Sequence, residues 1–283
     1  MKLHKTRESL LDTLSSYRQN KTIGFVPTMG ALHRGHLALI AQSVSENDIT
    51  VVSIFVNPTQ FNNQADLEKY PRTLENDLQL LKTLTGNLVI FAPTAEVVYD
   101  QKVLSKSYDF GGLENEMEGK HRPGHFDGVG TVLNIFFRLI RPNRAYFGEK
   151  DFQQLQIVKK LVEIEKLNVD VIGCPIVRET NGLALSSRNQ RLSQAEREEA
   201  ALLYQTLVQI RENFSNYSLA ELNEMGSKAF ANNAFLSLEY FEIANATTLK
   251  TAERKVPNTA YRAFLAVFAG DVRLIDNMQV SPQ

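Results

Sequence analysis

Two periodicities alternate through the first 175 residues. "TIGFV" (22–26) is a short apolar run rich in β-branched and aromatic residues. After it, Leu37, Ile40, Ala41 and Val44 recur at helical spacing, and "ITVVSIFV" (49–56) is almost continuously apolar, as a strand covered on both faces must be. "TLENDLQLLKTL" (73–84) predicts a helix, with Thr73 as its cap and acidic residues in the first turn. "NLVIFAP" predicts a strand, and "GVGTVLNIFFRLI" (128–140) an apolar helix ending before Pro142. "RAYF", "DFQQLQIVKKLVEIEKL" and "VDVIGCPIV" continue the series as strand, helix and strand. Strands alternating with helices predict an α/β, Rossmann-like doubly wound parallel sheet.

Beyond about Pro175 the pattern changes. "SQAEREEAALLYQTLVQI" begins with Ser193 and has Glu196 three residues on, which is the signature of a capping box. A second amphipathic stretch covers 218–232. Three β-rich runs follow, "LSLEYFEIA", "YRAFLAVFAG" and "VRLIDN". The expected organisation is a Rossmann-like domain over 1–175 and a smaller α+β C-terminal domain over 176–283. No internal repeat or low-complexity segment interrupts either part.

Composition narrows the function classes. With 31 Lys+Arg against 32 Asp+Glu, the chain has no basic excess for a nucleic-acid surface. A single cysteine, Cys174, excludes an intramolecular disulfide and points to a reducing compartment. The first twenty residues carry no signal-peptide apolar core, and no apolar stretch approaches the roughly 20 residues that cross a bilayer. The expectation is a cytoplasmic protein with no nucleic-acid and no membrane partner.

The candidate chemistry starts at "PTMGALHRGH", where His33 and His36 fall between a strand and a helix. In an open α/β sheet ligands bind at the carboxyl ends of strands, beside helix N-termini that favour anions by roughly 0.3–1 kcal/mol. Thr28, Gly30 and Gly35 suit close backbone approach to a phosphate chain, and imidazoles at i and i+3 share one side of the first turn. Phosphate is therefore a sensible partner. A zinc site would need further ligands and lacks the H-E-x-x-H glutamate. A pair of polar loop residues remains open from this stretch alone.

Four more stretches add to the pattern: "SIFVNPTQF" (53–61), "RPGHFDGVGTV" (122–132), "AYFGEKDFQQL" (145–155) and "GLALSSRN" (182–189), with "GDVRLIDN" near the C-terminus. Together and in this order they resemble the pantothenate synthetase family, the pantoate–β-alanine ligases of the nucleotidyltransferase superfamily, whose HxGH-type element here is His33-Arg34-Gly35-His36. The resemblance spans nearly the whole chain. It implies an AMP-forming ligase that condenses (R)-pantoate with β-alanine to pantothenate, at the expense of ATP, through a pantoyl adenylate. It also implies release of pyrophosphate, Mg2+ held mainly by the ATP phosphates with no protein metal site, and a homodimer.

Carried over residue by residue, the resemblance implies that Met29, Gly30, Ala31, Leu32, His33, Arg34, Gly35 and His36 hold ATP. His36 corresponds to the histidine described as a proton donor, a role open between proton transfer and hydrogen bonding while neutral. Gly148, Glu149, Lys150 and Asp151 would lie against the nucleotide, Asp151 on the ribose and Lys150 on the phosphates. Val177, Leu185, Ser186, Ser187 and Arg188 supply the remaining ATP contacts. His33, His36, Lys150 and Arg188 are the expected catalytic set. Gln60 and Gln154 resemble the pantoate-binding glutamines, Gln60 also lying near the β-alanine. The second domain is expected to close over the nucleotide and keep water from the adenylate.

His125 and Arg122 are equally open to a structural or gating role, and His4 and His121 are expected at the surface. Relatives commonly carry methionine at Leu185, a swap of similar volume, and lysine at Ile135, whose absence bears on affinity more than on reaction type. Competing readings are another nucleotidyltransferase, which would not need the two glutamines, and a nucleotide-binding regulator that binds ATP without releasing AMP. An aminoacyl-tRNA synthetase is disfavoured by the short chain and the lack of basic surplus.

Overall fold

The structure is a computed structural model that describes residues 1–100 and 102–281. Six strands form one sheet: β1 (Lys2–His4), β2 (Ile23–Thr28), β3 (Ile49–Ile54), β4 (Leu88–Phe91), β5 (Arg144–Gly148) and β6 (Asp170–Cys174). All neighbours are parallel, in the order β1-β4-β3-β2-β5-β6. This is the doubly wound Rossmann-like sheet that the alternating pattern predicts. Strand order reverses between β2 and β5, because the chain winds outward from β2 through β3 and β4 and later returns to the other side of β2. Helices of a parallel sheet cover both its faces, which is why β3 and β4 are buried at almost every position. Val26, Ile40, Val52, Leu81, Ile90 and Tyr146 make one of the buried clusters.

The chain divides into two compact units. The first comprises Met1–Glu114, Gly119–Glu149 and Gln154–Pro175, and the second Asn115–Glu118, Lys150–Gln153 and Ile176–Gln283. The second is built on an antiparallel sheet of β7 (Leu236–Asn245), β8 (Tyr261–Ala269) and β9 (Val272–Gln279). One sheet face packs on helices Ala201–Asn213 and Leu219–Lys228 through Leu203, Leu207, Leu222, Ile243, Leu265 and Leu274. The other face explains why two short upstream segments belong to this unit. Arg273 there forms ion pairs with Glu118 (2.7 Å) and Glu239 (2.5 Å), Tyr240 donates to Glu118, and Phe152 packs on Phe264.

Several local readings differ from the structure. Thr73 makes no side-chain cap; its hydroxyl donates to Asp77 four residues on (3.2 Å). The helix expected from 128 begins a turn earlier, at His125, after Gly124 at φ +78°. The capped stretch 193–210 breaks into helices Gln194–Glu199 and Ala201–Asn213, and its Ser193–Glu196 box is present. His4 is buried, not at the surface: its Nδ1 lies 2.6 Å from the Ser9 hydroxyl, and burial pushes its pKa down. Cys174 is buried at the end of β6, where desolvation pushes the thiol up to about 11, so it stays protonated and unreactive at neutral pH. No helix among the described residues is long and apolar enough to cross a membrane.

Candidate active site

Three of the sequence motifs leave the sheet at the carboxyl ends of adjacent strands. The histidine loop follows β2, the "NPTQF" turn follows β3, and Gly148 and Glu149 end and follow β5. The β2/β5 junction is the strand-order switch, where the edge of an open parallel sheet is split and a ligand finds room.

The histidine loop is tied down by its own main chain. Gly30 (φ +81°) and Ala31 (φ +49°) both adopt the left-handed conformation. For Ala31 this is costly, and the surroundings hold it: Asp77, 2% exposed, accepts the N–H groups of Ala31 (3.0 Å) and Leu32 (2.8 Å). A Cβ on Gly30 would press on the same carboxylate at 3.1 Å. Thr28 links the start of the loop to the neighbouring strand, its hydroxyl donating to the Ser53 carbonyl (2.7 Å). The side chains of Ala31 and Leu32 are buried in the protein, and their N–H groups point at Asp77. Sequence reasoning had no sign of Asp77 beyond its place as an acidic residue in the first turn of a helix.

His33 and His36 stand at the N-terminus of helix Arg34–Glu46 with ring centroids 4.0 Å apart. His33 Nδ1 accepts the Gly35 N–H (3.2 Å), and His36 Nδ1 accepts the His33 N–H (3.3 Å). This is a capping box built from two imidazoles. A ring nitrogen accepts only when it carries no proton, so a neutral ring in this geometry bears its hydrogen on Nε2. Two of the main-chain N–H groups at this helix N-terminus are thus taken by the rings, and do not stand open as the sequence pattern predicts.

Gln60 is set with comparable care. It ends the 3-10 turn Pro58–Gln60, is 9% exposed, and its Oε1 accepts from Asn57 (3.2 Å). Asn57 is itself buried, donates to the Gly128 carbonyl (3.1 Å) and accepts the Tyr99 hydroxyl (2.5 Å). His125 Nδ1 donates to the Gln60 carbonyl (2.8 Å), which gives His125 a structural part here. Gly128 lets the helix approach this turn: a Cβ there would meet the Thr59 carbonyl oxygen at 2.3 Å. Gln154 is half-buried on helix Phe152–Ile164, and Ile135 is half-buried on helix His125–Ile140.

In the second unit, Val177–Leu185 is a tight hairpin. Leu185 N–H donates to the Val177 carbonyl (3.0 Å), and Arg178 pairs with Ala184. Gly182 (φ +94°) turns it beneath Tyr204, where a Cβ would meet Cδ1 at 2.3 Å. Ser186 caps the 3-10 turn Ser187–Arg191 by accepting the Arg188 N–H (3.3 Å). Lys150 is half-buried, 3.7 Å from the Asp151 carboxylate.

Comparison with known proteins places the chain in a family. The family model for pantoate-beta-alanine ligase matches residues 2–279. The chain belongs to the pantoate–β-alanine ligase family. A pantothenate synthetase of Flavobacterium psychrophilum is 55% identical over 93% of both chains, and one of Christiangramia forsetii 48% identical over 99% of this chain and 100% of that one. Among solved structures, the pantothenate synthetase of Thermus thermophilus superposes with a TM-score of 0.92 at 41% identity over the whole of both chains. The pantoate-beta-alanine ligase of Francisella tularensis, solved with beta-gamma ATP and β-alanine, gives 0.83 at 38% identity, covering 100% of this chain and 99% of that one. As in any member of this ligase family, the reaction must activate a carboxylate before an amine can displace on it.

Proposed function

We propose that this chain joins pantoate to β-alanine at the expense of ATP, through a pantoyl adenylate. A bare carboxylate is a poor acyl donor. Attack of a pantoate carboxylate oxygen on the α-phosphorus expels pyrophosphate and makes a mixed anhydride, and the β-alanine amine then attacks the acyl carbon and expels AMP. The protein's share is positioning and the neutralisation of charge on phosphoryl oxygens. ATP enters as its magnesium complex, the ion belonging to the substrate and held by phosphates and water.

The observation that carries the reading is the imidazole capping box. It stands two imidazoles at a helix N-terminus just beyond the carboxyl end of β2, each with its Nδ1 taken by a main-chain N–H. It supports His33 and His36 as phosphate-binding groups, and it favours hydrogen-bond donation by a neutral His36 over proton transfer, which would strip the ring of its one proton. Lys150, Ser186, Ser187 and Arg188 are proposed to bind the triphosphate, with Met29–Gly30, Arg34–Gly35, Gly148, Glu149, Val177 and Leu185 lining the nucleotide and Asp151 on the ribose. Gln60, held at both its main chain and its side chain, suits a substrate whose hydroxyls and carboxylate need fixed donors and acceptors. Gln154 is proposed to share the pantoate, and Gln60 to border the β-alanine. A cytoplasmic homodimer is the proposed working state.

The test is product analysis with ATP, magnesium and pantoate, with and without β-alanine. AMP and pantothenate should accumulate in equal amounts only with both substrates. ADP in place of AMP, or no turnover, would overturn the reading.

A further inference from the structure

The "GDVRLIDN" segment closes the second unit's sheet as β9, and neighbouring residues of a strand point to opposite faces. Asp276 and Asn277 are neighbours, and both are buried, at 3% and 2% exposure. Asp276 lies on the helix-covered face. There it holds Arg178 in a two-pronged ion pair (2.5 and 2.9 Å). Arg178 stacks on Tyr204 (4.4 Å) and donates to the Gly182 carbonyl (3.0 Å), so that one guanidinium ties the first arm of the 177–185 hairpin to its turn. Asn277 lies on the opposite face. Its Nδ2 donates to the Lys150 carbonyl (2.7 Å), and its Oδ1 accepts from Arg262, whose guanidinium lies 3.9 Å from the Phe152 ring. Asp276 Oδ1 also accepts the Asn277 N–H (2.8 Å), which joins the two halves.

We propose that Asp276 and Asn277 are a pair of positioning residues that hold the two nucleotide-binding segments of the second unit, Lys150 and the 177–188 hairpin and turn, in fixed register through the thickness of one strand. Neither residue touches the substrate. Each acts on the backbone or guanidinium of a segment that does, and the inference rests on the proposed ATP-ligase reading for what those segments bind. Burying a carboxylate and an amide side by side costs stability that apolar residues would not, so a purely structural strand had no need of them. Their bonds run to a lysine's main chain and to a hairpin's only arginine, which are the points where a shift of about 1 Å in a binding group can cost up to roughly 10²-fold.

The test is calorimetric titration with magnesium-ATP alone, together with thermal unfolding and steady-state kinetics. Asn277→Asp keeps the volume and the Arg262 bond, replaces the donor to the Lys150 carbonyl with an acceptor, and adds a charge that faces the Arg262 guanidinium. Asp276→Asn keeps the shape and loses the charge that holds Arg178. Ile243→Val, in the same unit's core, serves as a fold control. The expected result is a Kd for magnesium-ATP raised about tenfold or more in Asn277→Asp and Asp276→Asn, with the KM for pantoate unchanged, while Ile243→Val lowers the Tm and leaves the Kd alone. An unchanged Kd in folded Asn277→Asp, or an equal shift in Ile243→Val, would overturn the pair's role. Should Asp276→Asn fail to fold, Asn277→Asp decides alone. A parent protein that binds magnesium-ATP yet releases no AMP would sink the ligase reading and leave the positioning result standing; a parent that binds none would overturn both.

Discussion

The two units fix the loops that carry their sequence motifs by different means. The first holds main chain: N–H groups of the histidine loop bond to the Asp77 carboxylate and to two ring nitrogens, at the carboxyl edge of a parallel sheet. The second uses charge: its hairpin hangs on the Arg178–Asp276 ion pair, and its sheet carries the Arg273–Glu118–Glu239 cluster on the other face. The cause lies in topology. A parallel sheet delivers each loop that follows a strand to one edge beside helix N-termini, so short bonds to the backbone suffice. An antiparallel sheet delivers no such edge, and its long connections need side-chain anchors. Charged anchors are costly to bury. Desolvation pushes the Asp276 carboxyl up despite its arginine partner.

The contrast breaks first at His36. His36→Ala should lower single-turnover adenylate formation by about 10²–10³-fold in a rapid-quench assay, the cost of one lost hydrogen-bond donor to a developing charge. His36→Gln should recover a large part of it if the ring only donates a hydrogen bond. Equal loss in both variants would restore proton transfer as its role. Asp77→Ala is the next largest. It strands two buried N–H groups at about 1–3 kcal/mol each and should raise the KM for ATP along with a lower Tm, whereas Asp77→Asn should fall between it and the parent. Smaller again is Gly128→Ala, which pushes a Cβ into the backbone of the Gln60 turn. Overpacking of this kind costs about 1–3 kcal/mol, and the KM for pantoate should rise while that for ATP holds.

The smallest effect is at a charged cluster of the first unit away from the histidine loop. The Lys106 ammonium (2.5 Å), then Arg138 (2.7 Å), hold the Glu165 carboxyl below the usual range. A depressed folded pKa adds stability above the ordinary value that is lost as pH falls through the folded one. Glu165→Gln should therefore lower the Tm at neutral pH, converge with the parent under acid conditions, and leave every KM unchanged. A change in KM would mean that an ion pair away from the histidine loop also tunes a binding segment of the first unit.

Much of this was legible in the chain. Continuous apolar runs marked the parallel strands because both faces are covered, and the Ser193 box was readable because capping needs only local residues. β1 was missed because three residues, one of them a lysine, carry no period. The break at Ala200 was invisible because the apolar pattern continues across it. At the candidate site, the histidines and glutamines stood out by motif. Asp77 and the Asp276–Asn277 pair did not, because each acts on residues 45 or more positions away, and a distant partner leaves no local pattern. Ring tautomers were equally hidden, since they follow from which N–H each Nδ1 accepts.

The most direct measurement follows oxygen. Pantoate labelled with 18O in both carboxylate oxygens is turned over with ATP, magnesium and β-alanine, and the nucleotide product is weighed by mass spectrometry. Attack on the α-phosphorus predicts AMP carrying one 18O and pantothenate retaining the other. Unlabelled AMP, or label appearing in inorganic phosphate beside ADP, would contradict the account.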